Sequence, residues 1–172
     1  TAQYYAGLDT ATTGNDWTVL PILKYQNNRL SLVHLYRQRK QTADYHLYHI
    51  GSLIKQFHIK NIAVEITGGV GQLYLESLSK EFRHINIEAI RTTGDSKPLM
   101  ISNLQLALER EQFIYPSNSP IIDELLSFRR QGRKLEAATG KHDDVIMGCA
   151  FGVTISPLFK ERKRGIFGGI QL

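Results

Sequence analysis

Cysteine is nearly absent: Cys149 stands alone in 172 residues, so no internal disulfide framework can hold the chain together. No apolar stretch approaches the roughly 20 residues needed to span a bilayer. No opening segment reads as a secretory leader, and no membrane association is expected. The Gly-x-x-x-x-Gly-Lys-Ser/Thr phosphate loop is missing too, so no P-loop ATPase lies within these residues. Internal repeats and low-complexity segments are also lacking.

What remains is the composition of an ordinary globular domain, 42% hydrophobic and 22% charged, with enough chain to bury a core. Cys149 falls on the apolar face of a predicted helix, where a buried structural thiol is expected, and a reducing cytoplasm fits that reading. The formal charge of +5 suggests a polyanionic partner. The chain opens on Thr1 rather than Met and is expected to be a piece of a longer protein.

Tyr4–Leu8, Trp17–Tyr25 and Arg29–Gln38 read as three strands joined by turns carrying Gly14-Asn15-Asp16 and Gln26-Asn27-Asn28. Thr42 is placed to cap a helix in which Leu47, Ile50, Ile54 and Phe57 recur at helical spacing. Asn61–Ile66 is short and nearly all apolar, as in a central strand covered on both faces. A second helix, Gly71–Phe82, comes after Gly68-Gly69, and Ile85–Ile90 alternates as a further strand. Ser96 is expected to cap a third helix with Pro98 in its first turn and Met100, Ile101, Leu104 and Leu108 inward. Phe113–Tyr115 reads as a short strand and Pro120–Arg129 as a fourth helix. The last helix spans Asp143–Ile155 and ends at Pro157. Residues 1–157 form the domain, and 158–172 form a basic tail that includes Lys160–Arg164.

Three acidic positions stand where acids are costly. Asp9 ends the first apolar strand, Glu65 ends Ile62-Ala63-Val64, and Asp143-Asp144 opens the last helix. Carboxylates gathered in one fold raise each other's pKa unless a cation compensates them, and hard divalent cations take oxygen ligands. The predicted site is therefore Asp9, Glu65 and Asp144 around Mg²⁺ or Mn²⁺, most naturally two ions, with Asp9 bridging them. Successive helix residues are rotated by about 100°. Asp144 is thus preferred as the ligand, and Asp143 is left as a cap, a supporting group or a further ligand.

An antiparallel meander leading into α/β units predicts an α/β fold: a mixed β-sheet with helices on both faces. That order resembles the ribonuclease H-like fold. Gly7-Leu8-Asp9, Gly14-Asn15-Asp16-Trp17-Thr18, Val64-Glu65-Ile66-Thr67-Gly68-Gly69-Val70-Gly71 and Lys141-His142-Asp143-Asp144 together resemble the nuclease domain of tailed-bacteriophage large terminases. The resemblance spans about Tyr4 to Ile155. It implies metal-dependent endonuclease cutting of concatemeric double-stranded DNA during genome packaging, with little sequence specificity, in the cytoplasm of an infected bacterial host. It also implies an N-terminal ATPase domain of the same protein, and a portal and small terminase subunit as partners. Met147 stands one turn after Asp144, where related resolvases place a further acid, which argues against a four-carboxylate site.

Around the acids, Asp16 and His142 are candidates for supporting groups. Lys97 sits after a strand in a Thr-Thr-Gly-Asp-Ser-Lys loop and is a candidate phosphate contact. Arg129, Arg130, Arg133 and Lys134 form a basic loop before the last helix, suited to tracking a DNA backbone. Three other readings compete with the nuclease. A junction resolvase of the same fold would want a dimer. A sugar-kinase-like ATPase, reading Asp9–Gly14 as a phosphate loop, would need two such domains. A non-catalytic DNA- or portal-binding module would be indifferent to Asp9→Ala.

Overall fold

A computed structural model describes residues 1–11, 15–131, 134–137 and 142–159. Its centre is a six-stranded mixed sheet in the order β5-β4-β1-β2-β3-β6. Strands β1 (Gln3–Leu8), β2 (Thr18–Gln26) and β3 (Arg29–Gln38) form the antiparallel meander read from the sequence. Between β2 and β3 the turn is Asn27-Asn28, both with positive φ (52° and 57°). Asparagine tolerates that conformation, and the twist of such a turn matches that of the flanking strands.

Helix α1 (Ala43–Phe57) begins at Thr42, whose Oγ1 accepts the Tyr45 N–H at 3.2 Å. Strand β4 (Asn61–Glu65) then lies parallel to β1, helix α2 (Val70–Glu81) comes next, and β5 (Asn86–Ile90) lies parallel to β4. Helix α3 spans Ser96–Glu109 and leads into the two-residue strand β6 (Phe113–Ile114), which pairs parallel with β3. Ser96 is not the cap of α3. Thr93 Oγ1 accepts the N–H groups of Asp95 (3.3 Å) and Ser96 (3.0 Å), while the Ser96 hydroxyl donates to the Arg91 carbonyl at 3.0 Å.

The fourth helix is shorter than its sequence suggests. Helix α4 covers Ile121–Ser127, and Phe128 then turns the chain into strand β7 (Phe128–Gln131), which pairs with β8 (Lys134–Ala137). The basic run read as a loop is therefore part of a two-stranded antiparallel ribbon. Its backbone register sets Arg129 opposite Glu136 and Gln131 opposite Lys134. Helix α5 (Asp144–Ile155) closes the fold. Among the described residues no helix is long and apolar enough to cross a membrane.

Two apolar layers sandwich the sheet. One holds Ala6, Leu8, Ile62 and Val64 against α1 and α2; the other holds Tyr5, Leu23 and Ala63 against α3, α4 and α5. Helix α5 is buried along nearly its whole length, Cys149 and Met147 included, and carries almost no polar face. It sits unusually close to the sheet. A β-carbon on Gly7 of β1 would collide with the Gly148 carbonyl and come within 2.9 Å of the Gly152 nitrogen. Glycines on both sides thus let helix and strand touch backbone to backbone.

Candidate functional site

The close contact between β1 and α5 sets up the site. Asp144 lies four residues, about one turn, before Gly148, so docking at Gly7 brings the start of α5 toward the end of β1. Asp9 stands just past that strand and is fixed to β2 by paired backbone bonds, its N–H to Val19 O (3.1 Å) and its carbonyl from Val19 N–H (2.9 Å). Leu8 pairs with Val64 across the parallel β1–β4 ladder, so the next step sets Asp9 beside Glu65. Strand alternation directs both away from the α1–α2 layer, into which Leu8 and Val64 point, and toward the face covered by α5.

Two threonines hold the Glu65 carboxylate. Its Oε1 accepts the Thr67 N–H at 2.9 Å and the Thr92 hydroxyl at 3.0 Å. The backbone turns at Gly69 (φ 84°), and α2 packs so tightly behind β4 that a β-carbon on Gly71 would collide with the Glu65 carbonyl. This explains the glycine-rich segment after the acid: it brings a helix close behind a strand-end carboxylate.

The acids act on one another. Burial holds the Asp9 carboxyl well above the usual carboxylate range, and the charges of Asp144, Glu65 and Asp143 raise it further against the pull of Lys97. Burial, then the charge of Asp143, pushes Asp144 up to about 6, opposed by His142 and by a hydrogen bond from the Trp17 backbone. One Asp144 oxygen, Oδ2, is buried with no hydrogen-bond partner. Among the described residues no three His, Cys, Asp or Glu side chains already stand in caging distance of a metal ion. A buried carboxylate oxygen without a hydrogen bond, a neighbouring acid whose ionisation burial and charge oppose, and an all-oxygen donor set suit a hard divalent cation.

The remaining sequence candidates divide. Lys97 is engaged: its Nζ lies 2.9 Å from Asp143 Oδ2, with both side chains mostly buried. Asp143 occupies the N-cap position of α5 but makes no capping bond, so the expected capping role does not hold. His142 Nδ1 is 3.6 Å from Asp144 Oδ2, and Asp16 adds to the negative field on Asp144. Arg129, Arg130 and Lys134 have backbone positions in the β7–β8 ribbon, but their side chains lie outside the described residues. Arg133 and the Lys160–Arg164 segment lie outside them altogether.

Sequence reading misses three groups. Glu124 of α4 is buried and its Oε2 accepts the Ile146 N–H at 2.9 Å, with its pKa lifted to about 7, mainly by burial. The Arg37 guanidinium lies 3.9 Å from the centre of the Trp17 ring, and Arg37, Glu124 and His142 line one cleft. Thr92 reaches Glu65 from 27 residues away. None has a local signal, because each partner is brought in by tertiary packing.

A mixed sheet with acids at the ends of two adjacent parallel strands and at the start of the helix across them defines a ribonuclease H-like protein. A family model described as Terminase RNaseH-like domain matches residues 6–150, and the chain belongs to that family. The large terminase subunit of Thermus phage G20c is 36% identical over 90 residues, which is 49% of this chain and 18% of that protein. The chain therefore matches less than a fifth of that relative's length. The large terminase nuclease of the same phage, crystallised with bound magnesium, superposes with TM-score 0.75 at 27% identity over 90% of this chain and 82% of its own. Structures of that nuclease also exist with cobalt and with zinc. A large terminase of another thermophilic bacteriophage, in complex with ATP-gamma-S, shares the fold at TM-score 0.67 and 17% identity, over 91% of this chain and 40% of its own.

Proposed function

We propose that this domain is the nuclease of a large terminase, a divalent-metal-dependent endonuclease that cuts concatemeric double-stranded viral DNA during packaging. One observation carries the reading. Register and helix docking direct Asp9, Glu65 and Asp144 to one end of the sheet, where the charges of Glu65 and Asp144 both oppose ionisation of Asp9. Such an arrangement is poorly suited to structural use and well suited to binding cations.

Asp9, Glu65 and Asp144 would hold Mg²⁺ or Mn²⁺, most naturally two ions. These would supply an activated water and charge stabilisation at the leaving oxygen. The protein's own part is to orient. Thr67 and Thr92 hold Glu65 in one pose, the Val19 bonds fix the backbone of Asp9, and the Trp17 N–H steadies Asp144. Lys97, by pairing with Asp143, lowers the negative charge of the carboxylate cluster and stays within reach of a phosphate. Asp16 and His142 act as supporting groups. Little sequence preference is part of the same proposal.

Arg129, Arg130, Arg133 and Lys134 are assigned to the DNA backbone. The N-terminal ATPase domain is assigned to the part of the full-length protein that this chain does not match. Portal, small terminase subunit and host cytoplasm belong to the same assignment.

The deciding experiment is plasmid cleavage with Mn²⁺, Mg²⁺ or EDTA, beside Asp9→Ala. Nicking and linearisation that need metal and vanish in the variant are expected. Salt-sensitive DNA binding without cleavage by either protein would favour a non-catalytic DNA-binding module. Charge reversal at Arg129 and Arg130 should lower the salt slope of DNA binding by about 0.9 per lost phosphate contact. An unchanged slope would remove the ribbon from the interface.

A further inference from the structure

Helix α5 has no cap of its own. The first turn of any helix leaves backbone N–H groups without intrahelical partners, and buried ones must be satisfied. Asp143 is at the N-cap position, yet its carboxylate is drawn to Lys97. The bond comes instead from α4: Glu124 Oε2 accepts the Ile146 N–H at 2.9 Å. Ile146 stands two residues after Asp144.

Glu124 is an expensive residue to place here. It is buried, and its second oxygen, Oε1, has no partner. A half-satisfied buried carboxylate costs stability unless it does something an apolar side chain could not. An exposed helix start would simply use a local Ser, Thr or Asp. At α5 a local aspartate cap would consume a carboxylate of the site.

We propose that Glu124 is a positioning residue: by taking the N–H group of Ile146 it fixes the first turn of α5 and keeps Asp143 and Asp144 from capping their own helix. The proposal rests on reading Asp144 as a metal ligand. Glu124 is assigned no contact with ion or DNA. Its carboxylate is committed to the helix, and only the direction in which Asp144 is presented depends on it.

The test uses the wild-type chain, Glu124→Ala, Glu124→Gln and Asp144→Asn. Amide hydrogen exchange at Ile146 is read in EDTA, Mn²⁺ uptake by calorimetry, and kcat and KM on plasmid DNA. Glu124→Ala is expected to expose the Ile146 amide and weaken Mn²⁺ uptake roughly 10- to 100-fold, with kcat falling at limiting metal and KM for DNA unchanged. Glu124→Gln keeps an acceptor oxygen and is expected to restore protection and to bind Mn²⁺ within about threefold of wild type, which also guards against a folding defect in the alanine variant. Folded Glu124→Ala with wild-type Mn²⁺ uptake would overturn the positioning role alone, and so would Glu124→Gln as defective as Glu124→Ala. Wild-type protein that takes up no more Mn²⁺ than Asp144→Asn would overturn the reading of Asp144 itself, and this proposal with it.

Discussion

Helices α1 and α5 lie on opposite faces of the same sheet and are built by opposite rules. Helix α1 has its own cap in Thr42, a striped face and a left-handed residue, His58, at its end. It docks through side chains such as Ile50 and Ile54. Helix α5 is buried nearly all round, touches β1 backbone to backbone, and borrows its cap from α4. A helix that only covers a sheet can be locally self-sufficient. A helix that must deliver a carboxylate to a fixed point gives up local capping and tolerance for side-chain bulk.

The contrast is sharpest at the acids. Asp9→Asn, Glu65→Gln and Asp144→Asn should each lower cleavage on the order of 10³-fold, since a metal contributes several kcal/mol of charge stabilisation. The melting temperature in EDTA should hold or rise as repulsion is relieved. Three destabilised variants would instead assign these acids to the fold. The next largest effect tests the docking itself. Gly7→Ala drives a methyl into the Gly148 carbonyl, where only backbone can yield, and should cost about 3 kcal/mol by urea unfolding. A neutral Gly7→Ala would mean that α5 can back away from the strand without consequence.

A smaller effect separates the two faces by pH. Asp144 titrates at about 6 in the fold against 3.8 ordinarily, Glu124 at about 7 against 4.5, and Asp9 is raised as well. All three hold their protons more tightly folded than unfolded. The folded state therefore carries more bound protons across this window, and stability falls as pH rises through it. In EDTA the domain should lose on the order of 2 kcal/mol between pH 5 and pH 8. Asp144→Asn should reduce that slope, and saturating Mg²⁺ should remove the shares of Asp9 and Asp144 while leaving that of Glu124. A domain that gains stability over the same range in EDTA would contradict the raised values.

These differences also mark how far the sequence can be read. The meander, the Thr42 cap and the order of strands and helices arise from short-range periodicity and turn chemistry, so they are legible. So are Asp9, Glu65 and Asp144 as acids at element ends, because their anomaly is local. The Lys97–Asp143 pair, the Thr92 bond to Glu65 and the Glu124 cap join residues 46, 27 and 22 positions apart. No short window along the chain contains both partners. The β7–β8 ribbon is hidden for another reason: each strand is only four residues long, too short for an alternation such as Lys134-Leu135-Glu136-Ala137 to stand out. Gly7, Gly148 and Gly152 are legible as letters but not as a contact, since their meaning lies in the helix crossing.

The mildest prediction lies on the face that only has to pack. Gly51 is an interior position of α1, buried, but a β-carbon there would meet nothing nearer than the Phe82 ring at 3.5 Å, an ordinary van der Waals contact. Glycine in a helix interior costs roughly 0.5–1 kcal/mol relative to alanine, because the unfolded chain loses more freedom on folding. Gly51→Ala should therefore stabilise the domain by that amount, with cleavage and metal dependence untouched. Gly7→Ala, the same chemical change beneath α5, should go strongly the other way. If urea unfolding gave both substitutions the same sign, the two faces would not differ in their tolerance for bulk, and α5 would be as replaceable a cover as α1.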